Sequence, residues 1–305
     1  MDSMYNSRHT KFILSSLATI LKEAVSACSS IGDGIETQPL SEYIFQTTFL
    51  KMTGASEQKM KCICWEMATN DYQYRYQFLK KNYGECSSYD DKNSIYTDLI
   101  QRIRAIDETF TTSRIFGDID ISSKEHELIE RKIDQTLKSQ EKKKGRGLTA
   151  DEKKKLSDGM KKYMISKGVC GEERIRFCKI ALFEQIQTSI NGIVGNTLFT
   201  RWNPHEYLLY KELWNTLSRN DYASEKSLLS GNLVSLYTKI VYEHRNRCAH
   251  NLLSYQENLP QLKFLCSNEH VYDNYYFRFS TLLLLDEILI RLYKVYIGLL
   301  TKDNI

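Results

Sequence analysis

The sequence predicts an all-α protein, and three observations carry that reading. Only three prolines, Pro39, Pro204 and Pro260, punctuate 305 residues. Strict apolar–polar alternation, the mark of half-buried strands, is scarce, while apolar residues recur at helical spacing along most of the chain. Hydrophobic residues at 42% and charged residues at 26% are ordinary for a globular protein, and the length permits a large core in one domain or two.

The elements follow in order. "KFILSSLATILKEAVSAC" places Phe12, Leu14, Leu17, Leu21 and Val25 on one broad apolar face, and "IGDGIETQPL" ends that helix. Further helices are expected over 41–53, 57–81 and 92–111, with "NYGECSSYDDKN" as the loop between the last two. Ser122 and Glu125 have capping-box spacing, as do Thr149 and Glu152, so a helix is expected to begin at each. Between them lies a lysine run with two glycines, around 139–148. It is read either as a solvated loop, the simpler account, or as a contact to an RNA backbone. The chain is divided here, into an N-terminal helical region over 1–148 of unassigned role and a helical bundle over 149–305.

In the second part, Ile175, Phe177, Ile180, Phe183, Ile186 and Ile190 suit bundle packing. Asn203 as N-cap with Pro204 at the first helical position opens another helix. A helix from about 231 carries Leu233, Leu236, Tyr237 and Ile240, residues 251–270 read as irregular, and a final apolar helix spans about 272–300. Asp286, Glu287, Arg291 and Lys294 interrupt that last helix, which marks it as buried or interface-forming and not as a membrane span. Its wide apolar face suggests a homodimer.

Composition bounds the partners. A net charge of +4 permits a polyanion without requiring one. Eight cysteines include a CxC at Cys62 and Cys64, but no second pair or nearby histidine completes a zinc set, so neither metal nor cofactor is expected. Thiols without a disulfide framework, and a polar start without a secretory signal, suit the cytoplasm. "YQYRYQF" and "YDNYYFRF" interleave aromatics with arginine; that pattern can stack bases, although helical spacing favours core packing.

The densest chemistry lies in "VYEHRNRCAHN", Val241 to Asn251. On a helix, Asn246 and His250 lie one turn apart, so the amide can hold one tautomer of the imidazole. Arg245 flanks them. Glu243 and Arg247 form an i,i+4 pair in which Glu243 either orients Arg247 or simply caps the helix surface. Two readings stand: a polar helix end making surface pairs, or a phosphate-handling site. In the second, the ribose 2′-hydroxyl of RNA is the nucleophile, a histidine transfers protons, and a guanidinium offsets phosphorane charge. His244 and Cys248 also stand at i,i+4, but without a third orienting group a Cys–His nucleophile is disfavoured.

These residues also resemble a known signature. "RNRCAH" is similar to the R-N-x-x-x-H form of the R-x4–6-H motif of HEPN-domain ribonucleases, with Arg245, Asn246 and His250 matching position by position. The resemblance covers about 150–305. It implies a C-terminal HEPN-like bundle with the motif near the end of a long helix, and metal-independent cleavage of RNA to 2′,3′-cyclic phosphate and 5′-hydroxyl ends. It further implies a toxin or antiviral effector, a homodimer with paired motifs at one cleft, and an antitoxin or regulatory partner. Arg245, Asn246 and His250 would be catalytic, with Arg247 on a neighbouring phosphate. The alternative is a non-catalytic module that binds RNA or protein. One departure stands out: a subgroup carries tyrosine two positions after the histidine as a modification site, and this chain has Leu252 there, with Tyr255 nearby.

Overall fold

The computed structural model describes residues 7–80, 85–167, 172–217, 222–229, 231–250 and 262–302, and these form a multi-helix protein. No β-sheet occurs among them; one isolated bridge joins Tyr222 to Leu229. By contacts the chain divides into two compact units, one of residues up to Ile115 and from Phe183 onward, the other Phe116–Leu182. No helix among the described residues is long and apolar enough to cross a membrane.

The first apolar pattern folds as two helices, α1 (Arg8–Leu14) and α2 (Ala18–Ala27), not one. Ser7 caps α1 by accepting from the Thr10 amide at 2.9 Å. The break at Ser15–Leu17 has a tertiary cause. There the Leu17 amide donates to Asp286 Oδ2 at 2.8 Å, and Lys59 donates to the Ser15 carbonyl. Groups an unbroken helix would pair internally are taken by a buried ion pair instead.

Two expected helices then fuse into α3 (Gln38–Asn70), running unbroken through Gly54. Phe45, Phe49, Met52, Ser56, Lys59, Met60, Ile63 and Met67 are buried along it, a spacing of three and four that builds one wide inner face. α3 stops at Asp71, which caps the short α4 (Tyr72–Phe78) through the Tyr74 amide at 2.9 Å and pairs with Arg102 at 2.6 Å. α5 (Tyr89–Ile106) starts on a Ser88 cap and buries Ile95, Tyr96, Leu99, Ile100 and Ile103.

In the second unit, α6 (Ser122–Lys144) and α7 (Ala150–Lys167) pack against each other. α6 is preceded by Ile121, so Ser122 is the first helical residue and not the expected cap. Gly145 turns the chain at φ 62°, the left-handed region that a side chain would strain. The capping box at Thr149 forms as expected: its amide donates to Glu152 Oε2 at 2.9 Å, and the Glu152 amide to Thr149 Oγ1 at 3.4 Å. The boundary expected at 148/149 therefore falls in the turn of a hairpin, inside one unit. Its charges lace the two helices, through Lys153–Glu141 at 2.9 Å, Lys161–Glu130 at 2.6 Å, and Lys144 and Arg146 on Glu152 at 2.7 and 3.0 Å. Arg146 and Lys144 hold the Glu152 carboxyl well below its ordinary range. α8 (Glu172–Val194) follows, its residues from Phe183 belonging to the first unit.

The first unit resumes with α9 (Leu198–Trp202) and α10 (Pro204–Leu213); Asn203 and Pro204 take the expected cap and first positions, although the amide makes no capping bond. α11 (Asn232–Leu236) leads through a π-helical turn, Tyr237–Tyr242, into α12 (Glu243–His250), and α13 (Leu262–Leu265) precedes α14 (Tyr275–Lys302). Asn274 caps α14 on the Tyr276 amide at 2.8 Å. From Tyr275 to Ile290 every residue except Glu287 is buried, so α14 is the central helix, packed on α3 and α5. "YDNYYFRF" is thus core. Each fully buried Leu or Phe there contributes roughly 1.5–3 kcal/mol. The apolar face from which a dimer was expected is consumed inside the unit.

Lys59 Nζ meets Asp286 Oδ1 at 2.5 Å with both side chains 3% exposed. Removing one partner strands the other charge, so Asp286→Ala is expected to cost about 3–5 kcal/mol in urea unfolding. A Lys59→Met/Asp286→Leu double variant should be more stable than either single change. Losses that simply add would show that the pair does not act as a unit.

Candidate functional site

The run that drew attention in the sequence is the last part of a composite helix. Gly231 opens it at φ 55°, a conformation that suits glycine. The π turn over Tyr237–Tyr242 adds a residue to the helical ladder, and the buried Arg278 donates Nε to the Ile240 carbonyl inside it at 2.8 Å. Such turns recur at functional sites. Beyond it α12 packs against α3.

A small pocket of about 10 Å³, open in part to solvent, lies where these helices meet. Its polar lining comes from Ser56 and Glu57 of α3, Ser87 and Lys92 at the start of α5, and Tyr237, Tyr242 and Arg245. Arg245 lies against Glu57 side-on: Nε stands 3.4 Å from Oε1, and Nη2 donates to Oε2 at 3.4 Å. Its Nη1 donates to Asn246 Oδ1 at 3.2 Å. The guanidinium is thus held from two sides, yet its side chain stays 25% exposed. Asn246 braces Arg245.

Lys92 supplies a second cation. Its ammonium donates to the carbonyls of Cys86 and of Ser87, and sits 6.0 Å from the centre of the Tyr237 ring. Cys86 has φ 60°, a strained conformation for a side-chain-bearing residue, and its carbonyl meets the lysine there. The Tyr237 hydroxyl also donates to the Ser87 carbonyl, at 3.2 Å. Burial pushes the Lys92 pKa down to about 8, with Glu57 opposing the shift. A guanidinium and an ammonium with one carboxylate make the pocket net positive, which suits an oxyanion.

His244 faces elsewhere. Its ring packs on Phe49 at 5.1 Å and is bonded on both nitrogens. Arg247 Nη2 lies 3.2 Å from Nδ1, so Nδ1 is the acceptor and Nε2 carries the proton. Nε2 then donates to the Tyr275 hydroxyl at 3.3 Å, which donates to Glu42 at 2.6 Å. Cys248 Sγ stands 3.4 Å from that same Nε2. The Cys–His approach is real, but the facing nitrogen has no lone pair to take a thiol proton, and burial raises the Cys248 pKa. No thiolate nucleophile follows. The expected Glu243–Arg247 pair is not formed: Glu243 is exposed, and Arg247 turns to the half-buried imidazole of His244.

α12 extends through His250, while that residue's side chain lies outside the described residues. The expected Asn246–His250 bond, Leu252 and Tyr255 fall outside them too. No group of three His, Cys, Asp or Glu side chains suited to a metal ion occurs among the described residues. Sequence reasoning missed Glu57 and Lys92. Glu57 sits 188 positions from Arg245, and only the polar interruption of the inner face of α3 hinted at it. No family model matches the chain, and neither curated proteins nor solved structures give a significant match.

Burial, then the charges of Arg278 and Arg247, hold the His244 pKa down to about 2. The unfolded chain protonates this histidine below its ordinary 6.5 while the folded protein does not, so stability falls as pH drops from about 6.5. The slope from this group is at most about 1.4 kcal/mol per pH unit. His244→Phe should flatten that part of the acid limb in urea titrations, and an unchanged slope would refute the half-buried, neutral imidazole.

Proposed function

We propose that this protein is a metal-independent endoribonuclease of HEPN type. The observation that supports it most is the pocket at Arg245, where a braced guanidinium and the Lys92 ammonium share one net-positive wall. In the proposed reaction the 2′-oxygen of RNA attacks phosphorus, the bond to the 5′-oxygen breaks, the 2′ proton departs and a proton arrives on the leaving oxygen. Arg245 offsets charge on the phosphorane, His250 carries protons, and Asn246 keeps the arginine in place. The products carry a 2′,3′-cyclic phosphate and a 5′-hydroxyl. A toxin or antiviral role, assembly as a homodimer and a regulatory partner belong to the same proposal.

One observation favours a second reading, an RNA-binding module without catalysis. Glu57 already accepts one hydrogen bond from Arg245 and pairs with its charge, and phosphate must share or displace that carboxylate. Labelled RNA incubated with pure protein and EDTA separates the two. His250→Ala and Arg245→Ala are each expected to slow cutting about 10²–10⁴-fold with the helical circular dichroism retained. Cutting by His250→Ala at the parent rate would remove that residue from the mechanism, and binding without cutting would leave the module.

A further inference from the structure

"YQYRYQF" divides in space. Tyr74 is 1% exposed and belongs to the core, whereas Tyr72 is 82%, Tyr76 58% and Leu79 77% exposed. Tyr72 and Tyr76 stand four residues apart on α4, so their rings are neighbours on one face, continued by Leu79 and Lys80 one turn on. Lys80 Nζ lies 4.3 Å from the centre of the Tyr76 ring. Arg75 is exposed beside them. Large apolar surface left in water at this density marks an interaction surface.

The charge pattern selects the partner. α4 carries no acidic residue, and the one carboxylate at its start, Asp71, is occupied by Arg102 and by capping. Protein–protein interfaces deplete lysine, while sites for single-stranded nucleic acid combine aromatic rings with cations. Position agrees as well. α4 begins where α3 ends, and thirteen helical steps of α3 run from Glu57 to Asn70, about 20 Å of helix axis. A stacked strand covers that distance in about six nucleotides, within the site sizes of known single-strand binders.

We propose that Tyr72 and Tyr76 form a stacking platform for the unpaired bases of an RNA strand, with Arg75 and Lys80 on its phosphates. This takes RNA as the ligand and so rests on the reading above, while adding a surface outside the pocket.

A fluorescent 12-nucleotide 2′-O-methyl RNA of mixed sequence has no nucleophilic hydroxyl, so its binding is read by anisotropy without cleavage. Tyr72→Ala/Tyr76→Ala should weaken binding by about fivefold or more for each ring lost, and Tyr72→Phe/Tyr76→Phe should restore it. Lys80→Ala should lower the slope of log affinity against log salt by about 0.7. Both tyrosines are exposed, so the melting temperature should stay at the parent value. Equal affinity of the double alanine variant and the parent overturns the platform, as does failure of the parent to bind the strand. Loss of self-association with unchanged strand binding marks a protein-docking face and overturns it too. Cutting of the unmodified strand is scored separately; its absence removes the ribonuclease and leaves the platform to be judged on binding.

Discussion

The ion pair between Lys59 and Asp286 is the constraint around which the first unit is organised. Burial pushes the lysine pKa down and the carboxyl pKa up, and each charge pulls the other back. Such a pair needs further hydrogen-bond partners, and here the α1–α2 break supplies two: the Ser15 carbonyl for the ammonium and the Leu17 amide for the carboxylate. Three segments far apart in sequence are thereby fixed in one register. Glu57 lies two residues from Lys59, and Leu282 one turn from Asp286. Both line the pocket, so the geometry around Arg245 inherits this register.

Local chemistry was legible in the sequence, and long-range pairing was not. Helical class, the central apolar helix, the cap at Asn203 and Pro204, and the box at Thr149 and Glu152 follow from spacing within a few residues. The break at Ser15–Leu17 does not, because its cause lies some 270 positions away at Asp286. Nor does the fusion through Gly54, where packing of Met52 and Ser56 outweighs one glycine's entropy. The charged run at 139–148 looks like a linker in composition. Up to Lys144 it is the end of α6, and the turn at Gly145 brings Lys144 and Arg146 onto Glu152 of the facing helix.

The candidate site divides in the same way. That α12 is a helix bearing Arg245 and Asn246 could be read from their spacing. That Arg245 leans on Glu57 could not, beyond the polar break in the inner face of α3, nor that the nearby cation is Lys92, since α5 carries no local sign of that contact. His244 and His250 illustrate the limit: both are histidines on one short helix, yet a ladder of Arg247, Tyr275 and Glu42 ties the first into the interior, and only tertiary structure shows it.

The π turn at Tyr237–Tyr242 acts as a phase shifter. One surplus residue swings everything downstream by about 100° around the axis. That offset decides which side of the arginine–histidine run meets α3, sending His244 inward while Arg245 reaches the cleft. A chain lacking a single residue in this turn would keep its composition and nearly all its helix, yet present a different set of side chains to the same cavity. The chemistry available at α12 is therefore set by a counting error in the coil before it, as much as by the residues α12 contains.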